Sequence, residues 1–318
     1  MTYYIVRRLV ALIPVLFGAS LIIFFTLRLF APMDIIESTL AESPGASDPA
    51  VRERLRQDFG LDKPAHEQYV YWLWGAVRGD LGTSWTSGTP VLQNILLALP
   101  VSLEITLVAS ALAVVVGIPL GVISAVRQNT WVDYASRFVA VVGLSVPNFV
   151  IATVLLLGPA MLWGWSPPVG YVPPWEDLGK HTAQVFLAFV SLGATVAAVQ
   201  VRILRSTMLE VIRNDYIRTA RSKGLGERYV VLRHALRNGL IPVVTVFGTQ
   251  LSATLGGTVV IEQIYSLPGV GRLTIGAIQR GDFPQLQANV LYLLIIYLVV
   301  NLIVDLSYAW LDPRIRYS

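Results

Sequence analysis

Residues Leu99–Val126 read LPVSLEITLVASALAVVVGIPLGVISAV. A stretch this long, with Glu104 near its start as the one charge, satisfies the roughly 20 apolar residues that a helix needs to cross a hydrocarbon core of about 30 Å. Small residues recur at every fourth position: Ala109, Ala113, Gly117, Gly121 and Ala125. That spacing puts them on one helix face and lets a second backbone come close, which is how helices associate in a solvent as apolar as themselves. The stripe serves packing within the chain, or else a face toward a transport pathway or a partner subunit. Either way the stretch calls for an all-helical membrane protein.

Five further stretches have the same character: Leu9–Phe30, Phe138–Trp163, Thr182–Val201, Leu240–Ile261 and Ala288–Trp310. Hydrophobic residues make up 54% of the 318 and charged ones only 14%, so the bilayer is the solvent for much of the chain. The first stretch follows Arg7 and Arg8, as a signal peptide would. Its apolar run is longer than a signal sequence carries and ends in no small-residue cleavage site, so it is expected to stay as the first crossing. Cysteine is absent, which removes disulfides, thiolate nucleophiles and cysteine-based metal sites from consideration.

Charge gives the orientation. Between Arg202 and Arg237 stand nine bases against three acids, Glu210, Asp215 and Glu227. Basic loops stay in the cytoplasm, so this segment is assigned there. Arg7 and Arg8, Arg127 and Arg137, and Arg314 and Arg316 then fall on the same side, with both termini cytoplasmic. The 31–98 segment carries nine acids and five bases and is expected to face outward. Within it Pro49–Phe59 reads as a helix and Tyr69–Trp74 as amphipathic. The net charge of +4 is thus a matter of topology, and no nucleic-acid partner is expected. The organisation expected is a first crossing (1–30), an outer loop (31–98) and a five-helix core (99–318) that includes the basic loop 202–238.

Sequence signs of chemistry are few. There is no Gly-x-x-x-x-Gly-Lys-Ser/Thr loop, so ATP binding by this chain is not expected. Gly269-Val270-Gly271-Arg272-Leu273-Thr274 lacks the third glycine of a dinucleotide loop and reads as a turn. His66, His181 and His234 are scattered and fall outside the six stretches, which argues against a metal site or a base for Ser145. Glu104, Arg28, Glu262 and Asp305 sit near helix ends. With none at mid-depth, an ion-coupled carrier or a channel is the more distant alternative. Gly248, Ser252 and Gly256 repeat the small-residue spacing in the fifth stretch and suit close packing or gating.

The basic loop is the most informative segment. Asp215 is placed to cap a short helix from Tyr216 to Lys223, with Gly224 as its stop. Tyr229–Arg237 then reads as a second basic helix entering the fifth crossing. Tyr216, Ile217, Ala220 and Leu225 have little reason to face water unless something docks on them.

The segment Asp215–Leu225, with Arg218-Thr219-Ala220 and Gly224, resembles the cytoplasmic "EAA" loop of ABC-importer permeases, in its oligopeptide/dipeptide/nickel form. Tyr4-Ile5-Val6-Arg7-Arg8-Leu9, Phe59-Gly60-Leu61-Asp62, Arg78-Gly79-Asp80-Leu81-Gly82, Gly143-Leu144-Ser145-Val146-Pro147-Asn148, Leu267-Pro268-Gly269-Val270-Gly271 and Leu311-Asp312-Pro313-Arg314 match the same family in order. Arg-Thr-Ala stands where the general pattern has Glu-Ala-Ala, as in the peptide branch, and Ala31-Pro32-Met33-Asp34 departs from the family's Pro-Gly-Asp.

The resemblance implies six transmembrane helices in a type I importer (MetI-like) permease fold. It implies a catalytically silent chain in the bacterial inner membrane that forms half of a pathway for di- or oligopeptides, or alternatively nickel complexes, glutathione or oligosaccharides. The implied partners are membrane lipid, a homologous second permease, two ATP-binding subunits carrying ATP and Mg, and an extracytoplasmic solute-binding protein. Asp215, Tyr216, Ile217, Arg218, Thr219, Ala220, Lys223, Gly224 and Leu225 would couple to the ATPases, and Ala220→Asp would uncouple transport. Leu267, Pro268, Gly269, Gly271 and Asp282 would meet the binding protein.

Overall fold

A computed structural model of the chain describes residues 2–30 and 63–311. The expected helix Pro49–Phe59, the turn Ala31–Asp34 and the tail from Asp312 lie outside the described residues. The helices are α1 (Thr2–Phe30), α2 (Ala65–Val77), α3 (Val91–Val126), α4 (Trp131–Ser145), α5 (Asn148–Trp163), α6 (Leu178–Ile212), α7 (Asp215–Ser222), α8 (Glu227–Tyr229), α9 (Leu236–Ile264), α10 (Val270–Gln279) and α11 (Phe283–Leu311), with a π-helical segment Val230–Ala235 joining α8 to α9. Among the described residues, five spans are long and apolar enough to cross a membrane by themselves: Val6–Leu29, Val91–Val126, Leu178–Ile212, Glu227–Ile264 and Phe283–Val304.

The third expected crossing is not one straight helix. It breaks into α4 and α5, bent by 105°. Pro147 is the cause: it lacks an N–H and drives the preceding residue out of the helical region, and Val146 is accordingly extended at φ −91°, ψ 122°. At its far end α5 stops at Gly164, whose φ of +66° closes the last turn onto the carbonyls of Pro159 and Ala160.

Two compact units can be distinguished. The first takes residues 2–30 and 63–100 together with Gly269–Leu302. In it α2 packs on α1 through Tyr69, and Val91 and Ile95 meet Ala288 beside Leu81, Leu273 and Tyr292. The second takes Val101–Pro268 and residues 303–311. Its cores follow α6: Val185, Ala188, Phe189 and Leu192 pack with Val101, Ile105, Ala109 and Ala152, and further along Leu204 and Met208 pack with Ala125 and Val243.

Two helices outrun the bilayer. At 1.5 Å per residue the 36 residues of α3 and the 35 of α6 reach about 54 and 52 Å, against a core of about 30 Å. Both are therefore longer than an upright crossing needs, and the end of α6 leads into the short helices that follow it.

Candidate functional site

Helix α7 begins after Asn214, which is extended and makes no side-chain capping bond. Asp215 is therefore the first helical residue and not the cap; its carboxylate pairs with Arg218 at 3.3 Å, both side chains in water. Gly224, at φ +78°, ends the helix by donating its N–H to Arg221 O. Beyond the corner, Glu227 takes the Arg221 guanidinium in two bonds of 2.6 and 3.0 Å, which raises the Arg221 pKa through that hydrogen bonding. Both groups are well exposed, so the pair is worth under about 1 kcal/mol and mainly fixes the corner.

The segment after the corner winds as a π-helix before α9 begins, with no break between them. In a π-turn residues five apart share a face, which puts Val230, Val231 and Ala235 together on the buried side. Ile217 and Ala220, three apart on α7, join them against Leu204 and Met208 of α6, Ala125 of α3 and Val243 of α9. Thr207 Oγ1 donates to Gly239 O at 3.0 Å, and Gly239 leaves no room for a Cβ beside the Met208 sulfur. Asn238 closes the assembly by donating to the Tyr216 hydroxyl at 2.7 Å.

This fastening corrects one expectation. Ile217 is 0% exposed and Ala220 8%, both inside the chain's own core, while Tyr216 at 42% and Leu225 at 38% face away from it. Ala220→Asp would thus disrupt the chain's own packing before it could report on any partner. The free face joins Tyr216, Leu225, Tyr229 and Leu232 to the exposed Arg218, Lys223 and Arg228. Thr219, exposed as well, spends its hydroxyl on Asp215 O.

The small-residue stripe of α3 is buried throughout and is used within the chain. A Cβ on Gly117 would come within 3.2 Å of Ala197 O, and one on Gly121 within 2.9 Å of Leu204 Cβ. Gly193, which the sequence pattern did not single out, comes closest: its Cβ would stand 2.8 Å from Ala109 O. The α9 stripe divides, with Gly248 and Ser252 buried and Gly256 exposed with open space around it.

A buried ion pair escaped the sequence reading. Asp133, 0% exposed in the first turn of α4, takes the Arg205 guanidinium at 2.7 and 2.8 Å, Ser124 Oγ at 2.6 Å and Asn129 N at 3.0 Å. One carboxylate thus ties the end of α3, the turn after it, α4 and α6 together, one residue from Leu204 in the core under α7. Arg205 was counted among loop charges because α6 was expected to stop at Val201.

At the opposite end of α6 a second polar cluster holds the loop 164–177. His181 lies inside α6, not before it, and contacts Glu104 of α3 at 2.5 Å and Val172 O at 2.9 Å. Tyr171 donates to Glu104 at 3.1 Å. Burial, then the Glu104 charge, pushes the Tyr171 phenol up to about 12. Asp177 caps α6 by accepting from Lys180 N, which lowers its carboxyl pKa.

Of the residues expected to meet a binding protein, Leu267, Gly269, Gly271 and Asp282 are buried, and Pro268 alone is exposed. Asp282 is a latch: Thr86 Oγ1 at 2.8 Å, Trp85 N at 3.2 Å and the Ser84 hydroxyl all donate to it, holding the 80–90 loop to the start of α11.

The comparisons agree with this architecture. Residues 117–317 match the family described as binding-protein-dependent transport system inner membrane component, and residues 1–106 match that family's N-terminal part. Over the full length of both chains, the sequence is 41% identical to the glutathione transport system permease protein GsiC of Pectobacterium atrosepticum. It is 39% identical to GsiC of Escherichia coli strain CFT073 and 38% to that of strain K12, again over the full length of both chains. Among solved structures, an amino acid ABC transporter crystallised with histidines shares the fold, with a TM-score of 0.51 at 16% identity over 70% of this chain and 94% of that one. With α7 fastened beneath a helical membrane core and both parts of the family matched, the chain belongs to the inner-membrane permeases of the peptide- and glutathione-type ABC importers.

Proposed function

We propose that this permease forms half of the translocation pathway of a heteromeric importer for peptide-sized solutes, and that α7 with the following corner is the seat for an ATP-binding subunit. The carrying observation is the two-sided character of α7. One face is locked into the chain through Ile217 and Ala220, and the other offers Tyr216, Leu225 and a ring of cations to a partner. A push on the exposed face reaches α3, α6 and α9 through a shared core, and Asp133 carries it to α4. ATP and Mg belong to the partner subunits, and this chain hydrolyses nothing. A second homologous permease completes the pathway, and a solute-binding protein delivers cargo from outside.

Charge supports the orientation. If the bent α4–α5 pair returned to its starting side, Arg127 in the turn before α4 and Arg137 within α4's first two turns would lie opposite the nine bases of 202–237. Basic loops gather on the cytoplasmic side, so the pair crosses as one broken span and both termini are cytoplasmic.

Di- and oligopeptides are the cargo class. The names of the relatives favour glutathione within it. The test is to co-express the chain with its transport partners, reconstitute the complex in liposomes and screen binding protein loaded with dipeptides, oligopeptides, glutathione, nickel complexes or oligosaccharides for stimulated ATP hydrolysis and uptake. Stimulation by a peptide or glutathione is expected. Purification free of any ATP-binding subunit, or uptake unchanged by ATP, would refute the reading.

A further inference from the structure

Helix α2 packs on the membrane-spanning part of α1. The Tyr69 hydroxyl shares a hydrogen bond of 2.8 Å with Ser20, and its ring lies 6.3 Å from Phe17 and 5.4 Å from Phe24. Trp72 adds a contact to Phe24 at 6.0 Å. All three α1 residues belong to the apolar span Val6–Leu29. At 1.5 Å per residue, Ser20 lies about 14 Å and Phe24 about 8 Å along the helix from Leu29. One leaflet of hydrocarbon is about 15 Å deep, so Phe24 and Ser20 lie inside the leaflet that the end of α1 reaches, and Phe17, about 18 Å from Leu29, lies near the bilayer midplane.

The side of α2 turned away from α1 is apolar. Val70, Tyr71, Trp74 and Val77 are 64, 77, 59 and 75% exposed, and on a helix they share one face. No charge occurs between Glu67 and Arg78, so the middle of α2 lacks the polar face of a water-bathed helix. Charges stand at its ends: Lys63 lies 5.6 Å over the Tyr71 ring and Arg78 4.4 Å over that of Trp74. Aromatic rings beside long cationic side chains suit the headgroup boundary, where the ring is buried and the charge stays wet. Thirteen residues, about 20 Å of helix, are too few to cross.

We propose that α2 is an interfacial helix. Its stripe Val70, Tyr71, Trp74 and Val77 contacts phospholipid acyl chains, with Lys63 and Arg78 at the headgroups. It thereby holds the segment that leads from α2 toward α3 at a fixed depth against the outer leaflet. This inference rests on α1 crossing the membrane, and it stands or falls separately from the coupling role of α7.

The chain has no cysteine, so single thiols can be spin-labelled without background. Val70→Cys and Val77→Cys, with Gln128→Cys in the exposed α3–α4 turn as the aqueous control, are reconstituted with the importer partners in phosphatidylcholine–phosphatidylglycerol liposomes. Labels at 70 and 77 should be relaxed more by lipid-soluble oxygen than by a water-soluble nickel chelate, with the order reversed at 128. Greater chelate access at 70 and 77 overturns the proposal. So does loss of oxygen access there on adding cargo-loaded binding protein, because that partner would then own the stripe. A second measurement leaves the chain without label: the fluorescence difference between wild type and Trp74→Phe isolates Trp74, which brominated acyl chains should quench. An unquenched difference overturns the proposal as well.

Discussion

Arg205→Ala isolates the buried pair in one step. It removes two bonds of 2.7 and 2.8 Å from a carboxylate that is fully out of solvent, and leaves Asp133 with Ser124 Oγ and Asn129 N as donors. Breaking a buried pair on one side costs about 3–5 kcal/mol, and the two surviving donors put this case near 3 kcal/mol. For a chain of 318 residues that corresponds to a fall of roughly 4–5 °C in unfolding temperature. Arg205→Lys keeps the charge but loses the fork, and should cost about 1.5 kcal/mol. The assay is thermal unfolding of the purified permease in mild detergent, with Arg202→Ala as the exposed neighbour control. Asp133→Asn combined with Arg205→Ala should cost clearly less than the sum of the two single changes, since each alone strands the other group. A shift for Arg205→Ala no larger than that for Arg202→Ala would refute the claim that this carboxylate ties four segments together.

Other substitutions follow from the same geometry. Gly193→Val forces a side chain onto the Ala109 carbonyl and should cost at least about 1–3 kcal/mol, seen as lost accumulation, while Gly256→Ala meets nothing and should be neutral or stabilising. Asp282→Ala strands the hydroxyls of Ser84 and Thr86, so limited proteolysis should cut the 80–90 loop faster with the rest of the chain unchanged. The Tyr171 phenol holds its proton more tightly folded than unfolded. Its contribution to stability is therefore complete below pH 10 and lost as pH rises toward 12, and Tyr171→Phe should remove that alkaline loss from a melting profile. Ile217→Asp should lower the permease's own melting temperature, whereas Arg218→Glu should leave it unchanged and weaken association with the ATP-binding subunit.

The crossings were legible because apolar length needs no knowledge of neighbours. Gly224 was legible for a similar reason: a glycine after a short polar helix marks a left-handed stop, and its φ is +78°. The third crossing was read as continuous because hydropathy does not register the backbone constraint that Pro147 places on Val146. The inward turn of Ile217 and Ala220 was invisible because a solvent-exposed loop and a loop docked on the projecting end of α6 have the same composition. Asp133 and Arg205 lie 72 positions apart, and nothing local to either indicates the other. Asp282 looked like a surface residue for the same reason, since its partners are close to 200 positions away.

Cross-linking decides whether the exposed face of α7 and its corner carries the ATP-binding subunit. Single cysteines at Tyr216 and Leu225, with Gln128 in the α3–α4 turn as comparison, can be cross-linked by a short thiol-to-amine reagent in the reconstituted importer, with and without ATP. Adducts to the ATP-binding subunit are expected from 216 and 225, in yields that change with nucleotide, with little from 128. Adducts from 128 and none from 216 or 225 would contradict that expectation.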